Sequence, residues 1–378
     1  MRVHRLLVPV LAVAVAVGAA PLAAAAPAEA QRPRHVAVEY LGETELAHGL
    51  QLDGTTVGGL SGISWDRRTG RWLLISDDRS AIDPARTYTA AISAHEGAVS
   101  VRLTGTSPLR RADGTTFPAT SADGSVVAPD PEGIAVDPLH RRFAWSSEGE
   151  RVLSPLTLAD PAVRLARPDG RTVRTLPIAP QLHVNAAEVG PRRNQTLEGL
   201  SYSPDGRRLF AAMEDPLFQD GPVPSAQRGA PVRVTAVDTG TGLPVRQFAY
   251  RLDPLFEQGP AGSTNGLSDL AALGGDRFLV LERAFTTRNA VRVYEADASR
   301  ATDVLGRDSL SDGRVVAARK RLVVDLTRLA GLPRLDNVEG IAVGPRLKDG
   351  RRLLVLVSDD NFSASQVTQF IAFAASGI

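Results

Sequence analysis

Apolar residues in this chain come in short runs broken by Gly, Pro, Asp or Ser. No window sustains the 3.6-residue spacing of a capped helix. One pattern recurs instead: a small or acidic residue, Gly, an apolar strand, a turn, a second strand, then an acid. The first copy is Ser61-Gly62-Ile63-Ser64-Trp65, a turn over 66–70, Trp72-Leu73-Leu74-Ile75 and Asp77-Asp78. The second runs from Glu132-Gly133-Ile134 through Phe143-Ala144-Trp145 to Glu148. The third runs from Glu198-Gly199-Leu200 through Ser203-Pro204-Asp205-Gly206 to Glu214-Asp215. The fourth opens on Ser268-Asp269-Leu270 and closes on Glu282, and the fifth opens on Glu339-Gly340-Ile341 and closes on Asp359-Asp360. Paired short strands around Pro-Asp-Gly turns read as β-hairpins.

The copies begin at 61, 132, 198, 268 and 339, at intervals of 71, 66, 70 and 71. The segment after 339 and the segment from 31 to 61 together nearly complete one more period. Regular repeats whose ends sum to a period predict a closed ring, and a ring of β-hairpin repeats is an all-β propeller. Five blades are counted, with six as the alternative. Long loops are expected at 104–130, 183–197, 214–231 and 253–267. Two unrelated β-sandwiches would not repeat one motif five times at this spacing.

Composition agrees: the 34 Gly and 26 Pro suit many turns. The 43 basic and 42 acidic residues leave a net charge of +1, which gives no basic face for nucleic acid. The absence of Cys excludes disulfides, thiolate metal sites and Cys nucleophiles. Arg2 and Arg5 precede an apolar run from Leu6 to about Ala26, and Ala28-Glu29-Ala30 offers a small-x-small exit. Residues 1–30 are therefore expected to be a signal peptide, and 31–378 a single propeller domain. The product would be secreted or periplasmic, a monomer, with no membrane span after cleavage.

In an antiparallel hairpin the start of one strand lies beside the end of the next. This pairs Glu132 with Glu148, Glu198 with Glu214, Asp269 with Glu282 and Glu339 with Asp359, while Asp77 closes the first copy. If the hairpins are innermost, these acids face one mouth of the channel. Each close pair of charges would cost about 4 kcal/mol at an effective dielectric of 20. Protonation, pairing with Arg79 or Arg283, or a hard cation would relieve that cost. Ca²⁺ accepts oxygen ligands in loose geometry, which these acids and Asn361 could supply. Zinc fits poorly, since Cys is absent and His35, His48, His95, His140 and His183 are scattered. The same acids could instead cap turns or bind backbone N–H groups of the next blade. No Gly-x-Ser-x-Gly elbow, zinc motif or Walker loop occurs.

Asp336-Asn337-Val338-Glu339-Gly340-Ile341-Ala342, with Asp349-Gly350-Arg351-Arg352 and Ser358-Asp359-Asp360-Asn361-Phe362, resembles the phytase-like family described as "esterase-like activity of phytase". Gly266-Leu267-Ser268-Asp269-Leu270 with Leu281-Glu282-Arg283, and Leu197-Glu198-Gly199-Leu200 with Met213-Glu214-Asp215, extend the resemblance over about 35–375. It implies a secreted propeller similar to calcium-dependent alkaline phytases, acting on ester or phosphate substrates. Two readings follow. In one, the rim acids hold Ca²⁺, Arg79 and Arg283 stabilise developing negative charge, and Glu198 or Glu339 takes the proton from water. In the other, the rim of a non-catalytic propeller binds a ligand or partner. With only Arg79 and Arg283 at the rim, the site is poor in cations for a substrate as highly charged as phytate.

Overall fold

The computed structural model describes Met1, Pro9 and residues 35–378 other than Glu96. The leader expected over 1–30 therefore lies outside the described residues, apart from Met1 and Pro9. Residues His35–Ile378 form one unit of five four-stranded antiparallel sheets. Each repeat supplies the two inner strands of a blade. They are Leu60–Asp66 and Arg71–Ser76, Pro131–Val136 and Phe143–Ser147, Leu197–Tyr202 and Arg208–Met213, Thr264–Gly274 and Arg277–Phe285, and Asn337–Arg346 and Arg352–Asp359. Helix is limited, among the described residues, to three single 3-10 turns.

The two chain ends share the fifth blade. Thr368–Ser376 is its third strand, and Ala37–Leu46 pairs antiparallel along it, from Ala37 opposite Ser376 to Leu46 opposite Thr368. The nearly complete extra period at the ends is this blade's missing strand, so there are five blades and not six. Closing the ring this way leaves no unpaired inner edge.

Neighbouring blades are fastened at every junction by a hydrogen bond. Val136 N–H donates to Ser64 Oγ at 3.0 Å, Ser146 Oγ to the Glu198 carbonyl at 3.0 Å, and Ala272 N–H to Ser201 Oγ at 2.9 Å. Ile341 N–H donates to Asp269 Oδ2 at 2.9 Å, and Gly59 N–H to Asp360 Oδ1 at 2.9 Å. The glycine after each opening acid is what permits this approach: a Cβ at Gly133 would lie 2.2 Å from the Glu198 carbonyl oxygen. Between blades lie large apolar side chains. Phe210 meets Phe278 edge-on at 4.7 Å between blades three and four, and Trp72 is fully buried between blades five and one. Each such side chain contributes about 1.5–3 kcal/mol on burial.

The expected loops over 183–197 and 214–231 each end one residue early, at the strands opening on Leu197 and Pro231, and the other two differ by more. Ala98–Pro108 is the outermost strand of blade one, so the first insertion starts at 109. Thr264 already belongs to the inner strand of blade four. The insertion after Glu148 carries an additional hairpin, Glu150–Leu153 with Leu156–Ala159.

Candidate functional site

Every inner strand carries a register shift at the repeat's opening residue. The shifts fall between Leu60 and Gly62, Pro131 and Ile134, Leu197 and Leu200, Leu267 and Asp269, and Val338 and Gly340. A β-bulge adds a residue and re-aims its side chain. Here it turns Glu132, Glu198 and Glu339 into one end of the channel. Across the hairpin, Ser76, Ser147, Met213, Glu282 and Ser358 stand opposite the residues before the bulges. The next residues along, Asp77, Glu214, Arg283 and Asp359, line the mouth, and Glu148 in the same slot of blade two lies beside Glu198 and Glu214.

This alignment explains blade four. Its opening slot holds Ser268 and its closing slot Arg283, so Asp269 and Glu282 each sit one residue off, and a one-residue offset faces the other way. Asp269 occupies the place of the glycine in the other repeats and receives the N–H groups of Leu270 at 2.8 Å and Ile341 at 2.9 Å. Glu282 is wholly buried between blades three and four. It accepts from Tyr250 Oη at 2.6 Å and Asn265 Nδ2 at 3.0 Å, and pairs with Lys320. Neither side chain lines the mouth.

The mouth is a cavity of about 230 Å³ lined by Asp77, Glu132, Glu198, Glu214, Glu339 and Asp359, with Arg283, Asn361, Asn194, Gln195 and Thr264. Arg283 is the single basic side chain of that lining. Its Nη2 donates to Glu339 Oε1 at 3.0 Å and Glu214 Oε1 at 3.3 Å, while its Nε is buried without an acceptor. Asn337 Nδ2 donates to Glu339 at 2.9 Å and to Asp359 at 3.3 Å. The N–H of Asn361, held at φ 48°, donates to Asp359 Oδ1 at 2.7 Å. Arg79 stays at the rim, outside the cavity, bridging Asp130 at 3.4 Å and Glu150 at 3.3 Å.

Burial and mutual repulsion hold the acids toward their neutral forms. Asp77, Glu132, Glu148, Glu198 and Asp359 are all pushed well above the usual carboxylate range, first by burial and then by neighbouring carboxylates. Glu214 rises to about 7 by burial, held back by Arg283, and Asp130 to about 6 by burial, held back by Arg79. Glu339 also rises through burial, against Arg283 and Asn337. Burial disfavours the Arg283 charge, but Glu339, Glu214 and Glu198 outweigh it and raise its pKa.

Two groups of carboxylates converge closely enough to share an ion. Ligand oxygens of Asp130, Glu132 and Glu148 lie within 4.8 Å of one another, as do those of Glu148, Glu198 and Glu214. Glu148 belongs to both. Its Oε1 accepts the Thr196 N–H at 2.6 Å, and its Oε2 is buried with no partner. An all-oxygen donor set with an unsatisfied buried carboxylate oxygen fits a hard divalent cation. Sequence reasoning missed Asp130, which lies just before the strand Pro131–Val136 and so outside the repeat as read. It also missed Asn194, Gln195 and Thr264, which precede inner strands where no periodicity marks them.

The ring is loosely similar to several solved structures. They include the GH43 β-1,3-galactosidase BT3683 with galactodeoxynojirimycin, at 9% identity over 87% of this chain and 93% of that one, with a TM-score of 0.47. The periplasmic gluconolactonase PpgL of Pseudomonas aeruginosa is 13% identical over 85% of this chain and 86% of that one, with a TM-score of 0.34. TolB of Acinetobacter baumannii is 13% identical over 83% of this chain, with a TM-score of 0.31, and this chain covers 54% of TolB, about half its length. No curated protein matches the sequence significantly. The sequence model of the family described as "Phytase-like: Esterase-like activity of phytase" matches residues 55–362, and the chain belongs to that family.

Proposed function

We propose that this propeller is an exported, monomeric hydrolase of phosphate or carboxylic esters that works with Ca²⁺ at its acidic mouth. The observation that carries the reading is a cavity with six lining carboxylates and one half-buried arginine, paired with Glu214 and Glu339, beside a buried carboxylate oxygen with no partner. The family's esterase-like description supports it. Asp130, Glu132 and Glu148 would hold the cation. When bound, the ion supplies charge neutralisation, polarisation of the ester oxygen and a more acidic water.

The chain's own groups do the rest. Arg283 is held charged and in place by Glu339 and Glu214, with its Nε–H left to donate to a developing oxyanion. Among the described residues nothing donates a hydrogen bond to the Glu198 carboxylate; the charge of a bound cation would offset the burial and repulsion that hold it neutral, and ionised it would take the proton from water. Glu339, engaged by Arg283 and Asn337, serves to position the guanidinium. A single lining cation suits an ester with one anionic group better than a polyanion such as phytate. Among the described residues no helix is long and apolar enough to cross a membrane.

The test is turnover of p-nitrophenyl phosphate and p-nitrophenyl acetate by residues 31–378. EDTA should abolish turnover of one of the two and Ca²⁺ restore it. Glu198→Gln should lower turnover about 100-fold or more without lowering Tm. Turnover indifferent to EDTA, or unchanged in both Glu198→Gln and Glu339→Gln, contradicts the reading. No turnover of either ester, with a calcium-dependent rise in Tm, would instead make the mouth a binding site.

A further inference from the structure

Of the 43 Lys and Arg residues only Lys320 and Lys348 are lysines. Lys320 lies on the outermost strand of blade four, Arg319–Asp325, with an arginine on either side of it in sequence. Its ammonium packs against two rings, 4.2 Å from the centre of Tyr294 and 5.0 Å from that of Tyr250. Nζ lies 2.8 Å from Asp253 Oδ1 and donates to Glu282 Oε1. Asp253 follows the outermost strand of blade three, Pro244–Arg251, so the pair joins two blades. Its other oxygen, Oδ2, accepts from Tyr294 Oη and lies 3.8 Å from Arg292 Nη1. Glu282 is wholly buried, and its Oε2 receives the Asp253 N–H at 3.0 Å. An amine, a carboxyl group and a second carboxylate are thus held in contact away from the mouth. The Lys320 side chain is 17% exposed and that of Asp253 31%.

A guanidinium could supply positive charge at this place, but only an amine can also act as a nucleophile. We propose that Lys320 and Asp253 join in an amide bond, a cross-link that the folded chain forms by itself with Glu282 as proton carrier. This inference is independent of the hydrolase reading. Nζ gives a proton to Glu282 and attacks Asp253 Cγ, so that the Nζ–Cγ bond forms. Negative charge develops on Oδ2, where Tyr294 donates a hydrogen bond and Arg292 supplies a positive charge. The Cγ–Oδ1 bond then breaks. Of the three ammonium hydrogens, one stays on the amide nitrogen and two, carried by Glu282, leave with Oδ1 as water. Glu282 ends as it began, and no oxidant or further reactant is needed. The fold supplies the orientation that such a condensation otherwise lacks. The product ties the exit of blade three to the outer edge of blade four, as a disulfide would in a chain with cysteine.

Residues 31–378 include every strand of the ring, so that chain is the one to test. Its intact mass, measured after denaturation, should fall short of the sequence mass by one water. Protease digestion and fragmentation should yield a branched peptide in which Lys320 is joined to Asp253. Lys320→Arg keeps the charge and removes the amine; it should have its full sequence mass and a lower Tm than the wild type. Asp253→Ala should also have its full mass. Glu282→Gln keeps the size of the side chain but cannot carry the proton, and should be recovered mostly at its full mass. A wild-type chain at its full sequence mass overturns the proposal. So does a missing water that persists in Lys320→Arg, or one that fragmentation places elsewhere. A missing ammonia, with Lys320 joined to Asn265, overturns the assignment to Asp253. A cross-link unchanged in Glu282→Gln overturns the part given to Glu282. The wild-type mass and Lys320→Arg decide the bond itself, whatever Glu282→Gln does to folding.

Discussion

Replacing Arg283 by Met is expected to cost about 3–5 kcal/mol of stability at neutral pH in EDTA, the range for a buried ion pair that loses one partner. Arg283 is the one lining cation among six carboxylates, and its Nη2 bridges Glu339 and Glu214 at 3.0 and 3.3 Å. Its removal leaves both acids buried and uncompensated, and they can escape only by taking up protons. The loss should therefore shrink as pH is lowered, and also when Ca²⁺ is added to take the place of the missing charge. Arg283→Met combined with Glu339→Gln should recover part of the loss, since one of the stranded acids is then neutral. Urea unfolding of the three proteins at pH 5 and pH 8, with and without Ca²⁺, measures all of this. An unfolding midpoint that does not move in Arg283→Met would mean that the mouth acids do not depend on the arginine.

The second large effect is on the pH dependence of the cation-free protein. Burial holds Glu214 at about 7 against an unfolded value near 4.5, and Asp130 at about 6 against 3.8. The folded state thus binds protons more tightly than the unfolded chain at these sites. Their stabilising contribution is complete at pH below the unfolded values and is lost as pH rises through the folded ones, between about pH 4 and 7. For Glu214 alone the loss is of order 3 kcal/mol. Groups elsewhere act in the opposite sense: Glu295, paired with Arg277 and Arg321, sits at about 2 and favours the folded state as pH rises. The mouth's share is isolated by Glu214→Gln, which mimics the protonated acid. In EDTA this variant should match the wild type at pH 4 and exceed its Tm at pH 8. A variant less stable than wild type at pH 8 would show that the Glu214 charge is favourable where it sits.

Much of this was legible in the residues, and the limits have physical causes. The spacing of Ser61, Glu132, Glu198, Ser268 and Glu339 located all five inner strands, because a ring of equal wedges needs equal chain lengths. The Glu-Gly pairs marked where the mouth acids lie, since a Cβ at Gly133 would meet the next blade's backbone at 2.2 Å. The same pattern misplaced blade four, where Asp269 and Glu282 read as mouth acids. A bulge shifts register by one residue and is invisible in a list of acids, so only the strand pairing shows Ser268 and Arg283 in those slots. Arg79 and Arg283 looked alike in sequence, each following a closing acid. The structure parts them: Arg79 follows the slot and turns to the rim, whereas Arg283 fills it. Asp130 stands just before the second repeat's first strand, beyond the reach of the hairpin pairing that marked the other acids. Asn194, Gln195 and Thr264 were also out of reach, because loops that carry no repeat leave no mark of which side chains turn inward.

If the mouth carboxylates hold a cation, Ca²⁺ must bind among them as they ionise. Calorimetric titration of Ca²⁺ into residues 31–378 at pH 7, in two buffers of different ionisation enthalpy, tests it most directly. Saturable binding with release of protons, lost in Glu148→Gln, is the predicted result, because acids held toward neutrality must ionise to ligate. Absence of binding, or binding that neither releases protons nor responds to Glu148→Gln, would contradict it.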